Sequence, residues 1–167
     1  MIFVTTGTQL PFDRLIEAID KLAEAFSDES FIVQISNYDT VQVKSQNIKL
    51  VGFLEPEEFN QYFDSADLII GHAGMGTILK ALEDGKALVV FPRKASLVEH
   101  RNDHQMATVG WLKRLKLVNV AESYEDLVKL LHAFKEGLED QFISEKIESV
   151  ASESLISELK SVLNESI

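Results

Sequence analysis

Four short apolar runs, Ile2-Phe3-Val4, Phe31-Ile32-Val33, Leu68-Ile69-Ile70 and Ala87-Leu88-Val89-Val90-Phe91, punctuate the first half of the chain, with longer amphipathic stretches between them. A strand that is apolar at every position has both faces covered, which is the situation of a parallel sheet between two layers of helices. The intervening stretches read as those helices. Residues 12–26 place Leu15, Ile16, Ile19, Leu22, Ala23 and Phe26 at helical spacing. Pro56 suits the first turn of a helix over residues 57–65, and residues 74–84 form a helix that Gly85 stops. Residues 102–113 are helical, and Ser123 N-caps a helix over residues 124–136. Residues 31–35 make the second strand, residues 117–120 the last, and residues 41–43 and 48–51 two weaker strands around the turn Ser45-Gln46-Asn47. The expected architecture is α/β, a doubly wound parallel sheet in a single domain over residues 1–167. Residues 139–167, with Phe142, Ile143, Ile147, Val150, Leu155, Leu159 and Val162 at steps of three and four, read as a C-terminal amphipathic helical segment.

Charge narrows the function. The 167 residues carry a net charge of −11, which disfavours nucleic acid and anionic membranes as partners because both repel such a chain at long range. Against this background, residues 93–116 hold six bases (Arg93, Lys94, Arg101, Lys113, Arg114, Lys116) and two acids, a basic island suited to an anion. The absence of cysteine removes disulfides, a thiol nucleophile and cysteine-ligated zinc. No apolar run reaches the roughly 18 residues of a membrane span, and Met1 opens directly into the first strand without a basic leader, so a cytoplasmic location is expected.

Ligands of open parallel sheets bind beyond the carboxyl ends of the strands, so the loops following strands are where chemistry is sought. Thr5-Thr6-Gly7-Thr8-Gln9 offers close backbone approach at Gly7 and hydroxyls at Thr6 and Thr8 for a phosphate oxygen, but lacks the lysine of a P-loop and the spacing of a dinucleotide fingerprint. Gly71-His72-Ala73-Gly74-Met75-Gly76-Thr77 leads into a helix whose amides and dipole suit an anion, with His72 at its mouth. The third loop follows Phe91-Pro92 with Arg93 and Lys94 and reaches Asn102-Asp103-His104-Gln105, groups that hydrogen-bond sugar hydroxyls. His100 and His104 have the i, i+4 spacing of zinc ligands, but Arg101 lies between them and the H-E-x-x-H glutamate is missing, so no metal or other cofactor is expected.

Taken together, Thr6-Gly7-Thr8-Gln9, His72-Ala73-Gly74-Met75-Gly76-Thr77 and the stretch from Pro92-Arg93-Lys94 to Asn102-Asp103-His104-Gln105 resemble the nucleotide-binding half of a GT-B glycosyltransferase of family 28. Within it the chain is similar to the short single-domain subunits, both the small cytosolic subunit of the two-chain transferase that adds the second N-acetylglucosamine to dolichol-linked sugar and bacterial exopolysaccharide transferase subunits. The resemblance covers about residues 1–135. It implies a Rossmann-like half with the donor diphosphate between Gly7-Thr8 and the helix start at Gly74, Met75, Gly76 and Thr77. It places His72, with Arg93, to stabilise that diphosphate, the uracil against Phe53 and Leu54, and the donor sugar against Asn102, His104 and Gln105. At the position of the family's ribose-binding glutamate stands Lys80, which cannot accept hydroxyl hydrogen bonds. Ribose recognition is therefore expected to differ, with Glu83 one turn later as an alternative, or to be weakened; a glutamate restored at position 80 tightens binding if Lys80 is a solvated substitute, weakens it if Lys80 contacts a phosphate or a donor carboxylate, and changes nothing if the position faces away from the ligand.

The implied function is that of a donor-binding subunit moving a sugar from a UDP-sugar to a lipid-linked acceptor, in polysaccharide or glycolipid synthesis. Two such halves make an enzyme, so the resemblance implies a membrane-anchored acceptor-binding subunit that carries the catalytic base and recruits this chain to the inner face of the membrane. The apolar face of Leu155, Leu159 and Val162 is a candidate docking surface, with packing on the domain's own sheet as the alternative. A non-catalytic nucleotide-sugar-binding or assembly subunit is the competing functional class.

Overall fold

The computed structural model describes residues 1–8, 10–36, 40–99, 109–110, 112–113, 118–138 and 142. Six parallel strands form one sheet in the order β3-β2-β1-β4-β5-β6: β1 (Ile2–Thr5), β2 (Phe31–Gln34), β3 (Ile48–Val51), β4 (Leu68–Gly71), β5 (Leu88–Val90) and β6 (Asn119–Val120). The sheet is doubly wound and parallel, as the sequence led us to expect; its strand order comes from the structure. Alternate residues of each central strand supply two cores. Ile2, Val4, Phe31, Val33, Leu68, Ile70 and Val89 face α1 (Asp13–Ala25) and α4 (Tyr124–Glu136), which contribute Leu15, Ile19, Leu22, Leu127 and Leu131. Phe3, Ile69, Leu88 and Val90 face Phe63 of α2 (Pro56–Ser65), Ile78, Ala81 and Leu82 of α3 (Met75–Asp84), and Val109 and Leu112.

The helix ends follow their local chemistry. Gly85 ends α3 at φ +62°, donating its amide back to Ala81 and Leu82, and Gly137 ends α4 in the same way at φ +64°. The Ser123 side chain accepts from the Asp126 amide at the start of α4. Residues 41–43 correct the sequence reading, for they form no strand. The amides of Lys44 and Ser45 are bonded to the Asp20 carboxylate of α1 at 2.9–3.1 Å, while Thr40 bonds Asp13, so this stretch is strapped across the helix instead of joining the sheet. Asn47 completes the strap, its side-chain amide reaching the carbonyls of Ala23, Phe26 and Glu29. The expected helix over residues 102–113 is described only at residues 109–110 and 112–113, which are helical. The expected C-terminal helical segment, residues 139–167, lies outside the described residues except for Phe142, which is buried against Phe134 with ring centroids 5.2 Å apart.

β1 and β4 lie side by side with Thr5 level with Gly71, yet the chain leaves β1 toward β2 and leaves β4 toward β5. α1 departs on one face of the sheet and α3 on the other. The two connections separate at the carboxyl edge and leave a crevice between them, the topological switch point of an open α/β sheet.

Candidate functional site

A cavity of about 360 Å³ occupies this crevice, lined by Thr5, Thr6, Gly7, Thr8, Leu10, Gln34, Leu54, Phe59, His72, Gly74, Gly76, Thr77 and Arg93. The glycine pattern around it is explained by one ring. The His72 amide bonds the Thr5 carbonyl at 3.2 Å, and its imidazole is wedged between two glycines. A Cβ on Gly7 would lie 2.7 Å from Cε1 and 2.9 Å from Nε2 of His72, and one on Gly74 would run into Nε2. Gly7 also has φ +80°, which a side chain resists. Gly76 is different, since nothing lies within 4 Å of where its Cβ would be. Two glycines make room for histidine, and the third borders open space.

α3 starts at this wall. Gly74 is its N-cap, no side chain caps it, and its first turn carries no acid. The amides of Met75, Gly76 and Thr77 occupy the first helical positions, where the backbone has no partner within the helix and the dipole is positive. Met75 packs its side chain against the core beneath, so its amide is what it offers the cavity.

Arg93, 3 % exposed, forms the opposite side. One terminal nitrogen donates to the carbonyls of Pro11 (2.6 Å) and Glu99 (3.1 Å), the other to those of Thr6 (2.7 Å) and Leu10 (2.8 Å). Its forked end is thus committed to main chain, and its charge reaches the cavity as a field. Nearby, Arg14 of α1 grips both oxygens of Glu99 at 2.7 and 2.9 Å, and the Lys94 amide adds a third contact at 2.8 Å. Burial alone would raise the Glu99 carboxyl, but the hydrogen bonds from Arg14 and Lys94 and the nearby charges of Arg14 and Arg93 outweigh it and hold the group below its ordinary value. Among the described residues the cavity wall includes no carboxylate, in a chain with 27 of them. An uncapped helix start, a histidine and a buried guanidinium surround it, an arrangement that attracts and holds an anion.

Residues 1–161 match the glycosyltransferase family 28 C-terminal domain. The chain belongs to this family. A relative from Yarrowia lipolytica, UDP-N-acetylglucosamine transferase subunit ALG13, is 26% identical over 170 residues, covering 88% of this chain and 84% of that protein. The Homo sapiens protein of the same name is 32% identical over 112 residues; the match covers 63% of this chain and only 9% of that relative's length. A solution structure of ALG13 superposes with a TM-score of 0.57 at 20% identity, covering 90% of this chain and 89% of that one, a likeness of fold.

Within this family 28 domain, most of the residues singled out in the sequence meet at the crevice. Gly7, Thr8, Leu54, His72, Gly74, Gly76, Thr77 and Arg93 line the cavity. Thr6 lines it as well, and Phe53 does not. Thr6 is fully buried at the cavity wall, its hydroxyl within 3.3 Å of the Gln34 and Gly7 carbonyls and accepting from the Ser36 amide, so it straps β1 to β2. Phe53 is 60 % exposed outside the cavity lining, and Phe59 from α2 joins Leu54 as the apolar wall. Arg93 reaches the cavity with both terminal nitrogens bonded to main-chain carbonyls. Asn102, His104 and Gln105 lie outside the described residues.

Lys80 also departs from the expectation. Its ammonium bonds Asp84 at 2.8 Å, pairs with Asp64 at 3.6 Å and sits 4.9 Å over the Phe63 ring, so it runs toward α2 and away from the cavity. The hydrogen bond to Asp84 is the chief cause of its raised pKa. Glu83 is exposed and not part of the cavity wall. Sequence reasoning missed Gln34, whose side chain accepts from the Thr5 hydroxyl at 2.7 Å and lines the cavity floor. The available signal was a polar residue closing the apolar run Phe31-Ile32-Val33.

Proposed function

We propose that the chain is the donor-binding subunit of an inverting glycosyltransferase that uses a UDP-sugar and a lipid-linked acceptor. The observation that supports this best is the cavity at the switch point, free of carboxylates among the described residues, with a helix start that no side chain caps on one side and Arg93 on the other. In this reading the diphosphate lies against the amides of Met75, Gly76 and Thr77 beside His72, and the base rests on the apolar wall of Leu54 and Phe59. The sugar extends toward the segment holding Asn102, His104 and Gln105. In transfer, the acceptor oxygen bonds to the anomeric carbon as the bond from that carbon to the diphosphate oxygen breaks. The acceptor proton goes to a base on the acceptor-binding half. Preorganised amides and the Arg93 field stabilise the charge developing on the leaving diphosphate, the kind of contribution that dominates many enzymic rate accelerations. The names of the relatives support the donor and the subunit character. A membrane-anchored partner and a cytoplasmic site of action complete the reading.

Calorimetric titration with UDP, UDP-N-acetylglucosamine, ADP and GDP tests it. The uridine ligands bind and the purine diphosphates bind more weakly; equal binding of all four, or none, contradicts the uridine claim. The alternative, a non-catalytic nucleotide-sugar binder, draws on Lys80, which stands at the position of the family's ribose-binding glutamate and turns its side chain away to Asp84, so that position offers no ribose acceptor. A sugar-transfer assay separates the two, since the donor-subunit reading requires turnover once an acceptor-binding half in membranes is added and the binder reading requires none.

A further inference from the structure

The four bonds of Arg93 join two places that are distant in sequence. Thr6, Leu10 and Pro11 belong to the connection between β1 and α1, whereas Glu99 closes the turn after β5, 6 residues beyond Arg93 itself. A planar fork with fixed donor directions can satisfy four converging carbonyls, and a lysine ammonium with three donors cannot. The guanidinium carbon lies over the Phe12 ring, 4.3 Å from its centroid. On the far end Glu99 is held by Arg14, so the turn is pinned both by its carbonyl and by its side chain. From Glu99 the chain runs directly into residues 100–108, which contain Asn102, His104 and Gln105.

We propose that Arg93 is the positioning residue of the site, coupling the loop after β1 to the turn after β5, so that holding a diphosphate against Gly7 and Thr8 also steadies residues 94–99. The proposal deepens the donor-binding reading and rests on it. The coupling is carried by geometry: both loops share one guanidinium, and a displacement of either moves its acceptors off the fork.

The test uses the full chain with UDP and uridine as probes, and the variants R93K and R93Q, with thermal unfolding followed in parallel. Both variants lose UDP affinity by about tenfold or more, the scale of losing hydrogen bonds made by a charged group, while uridine affinity stays within about twofold because no diphosphate is involved. R93K binding UDP as well as the unaltered chain overturns the proposal, because charge without the fork would then suffice. Should the variants fail to fold, hydrogen exchange of the unaltered chain decides. UDP slows exchange at residues 7–8 and 94–99 together and uridine slows neither; protection of the first stretch without the second overturns the coupling. An unaltered chain that binds no UDP overturns the donor reading and this proposal with it, an outcome distinct from failure in the Arg93 arms alone.

Discussion

His72 and the glycines around it show how residue-level sterics set the cavity. Gly7 and Gly74 make room for the imidazole, and Gly76 borders empty space, so the three glycines answer differently to substitution. Gly7→Ala forces a side chain into a positive-φ position and onto His72, at a cost of at least about 1–2 kcal/mol, and denaturant unfolding will show the loss. Gly76→Val leaves the unfolding midpoint nearly unchanged and lowers UDP affinity, because its branches fill space a phosphate needs; a variant that binds normally would show that the ligand lies elsewhere. Lys80 makes the opposite point about reading a position by alignment. Replacing it with glutamate puts a third carboxylate beside Asp64 and Asp84, so Lys80→Glu lowers stability by a few tenths to about 1 kcal/mol, the scale of surface ion pairs. UDP affinity stays within about twofold, the outcome expected of a position that faces away from the ligand, because the side chain runs away from the cavity. Tightened binding would mean that the position faces the ligand after all.

At the scale of elements, the strands and helices were legible wherever apolar period and end signals agreed. Gly85, Ser123 and Pro56 each mark a real boundary, and the fully apolar strands are the central ones. Residues 41–43 were misread because Val-x-Val alternation carries no information about where the backbone finds its partners, and here α1 ties down the flanking Thr40, Lys44 and Ser45 through Asp13 and Asp20. Burial alone would raise the Asp20 carboxyl, and the amides and hydroxyl of Ser45 with the Lys44 amide outweigh it, lowering its pKa. Asp126 is lowered chiefly by the Glu122 amide, and Glu99 by the contacts that overcome its burial. A carboxyl whose folded pKa is depressed contributes stability that is present above its unfolded value and is lost as pH falls through the folded one. Thermal stability is therefore expected to hold from neutral pH down to roughly pH 4–5 and to fall below it. Asp20→Asn, which keeps one acceptor oxygen and loses the charge, costs about 1 kcal/mol at pH 7 and flattens part of the acid limb; an unchanged melting profile would mean that the strap contributes nothing.

For the whole molecule, the strand order alone predicted where to look, because the crevice at a switch point follows from connectivity and needs no knowledge of the ligand. The tasks of Thr6 and Arg93 were not legible in that way. A buried threonine and a surface threonine read identically in sequence, and an arginine beside a proline gives no sign that three distant carbonyls and a nearby one converge on it. The central claim is that the crevice between β1 and β4 holds the nucleotide diphosphate. Titrating UDP into the isotopically labelled chain and following backbone amide resonances tests it most directly. The account predicts the largest shifts at Gly7, Thr8, His72, Met75, Gly76 and Thr77, with little change along α1 and residues 41–45. Shifts concentrated on the groove between α1 and residues 41–45, or no shifts at saturating UDP, would contradict it.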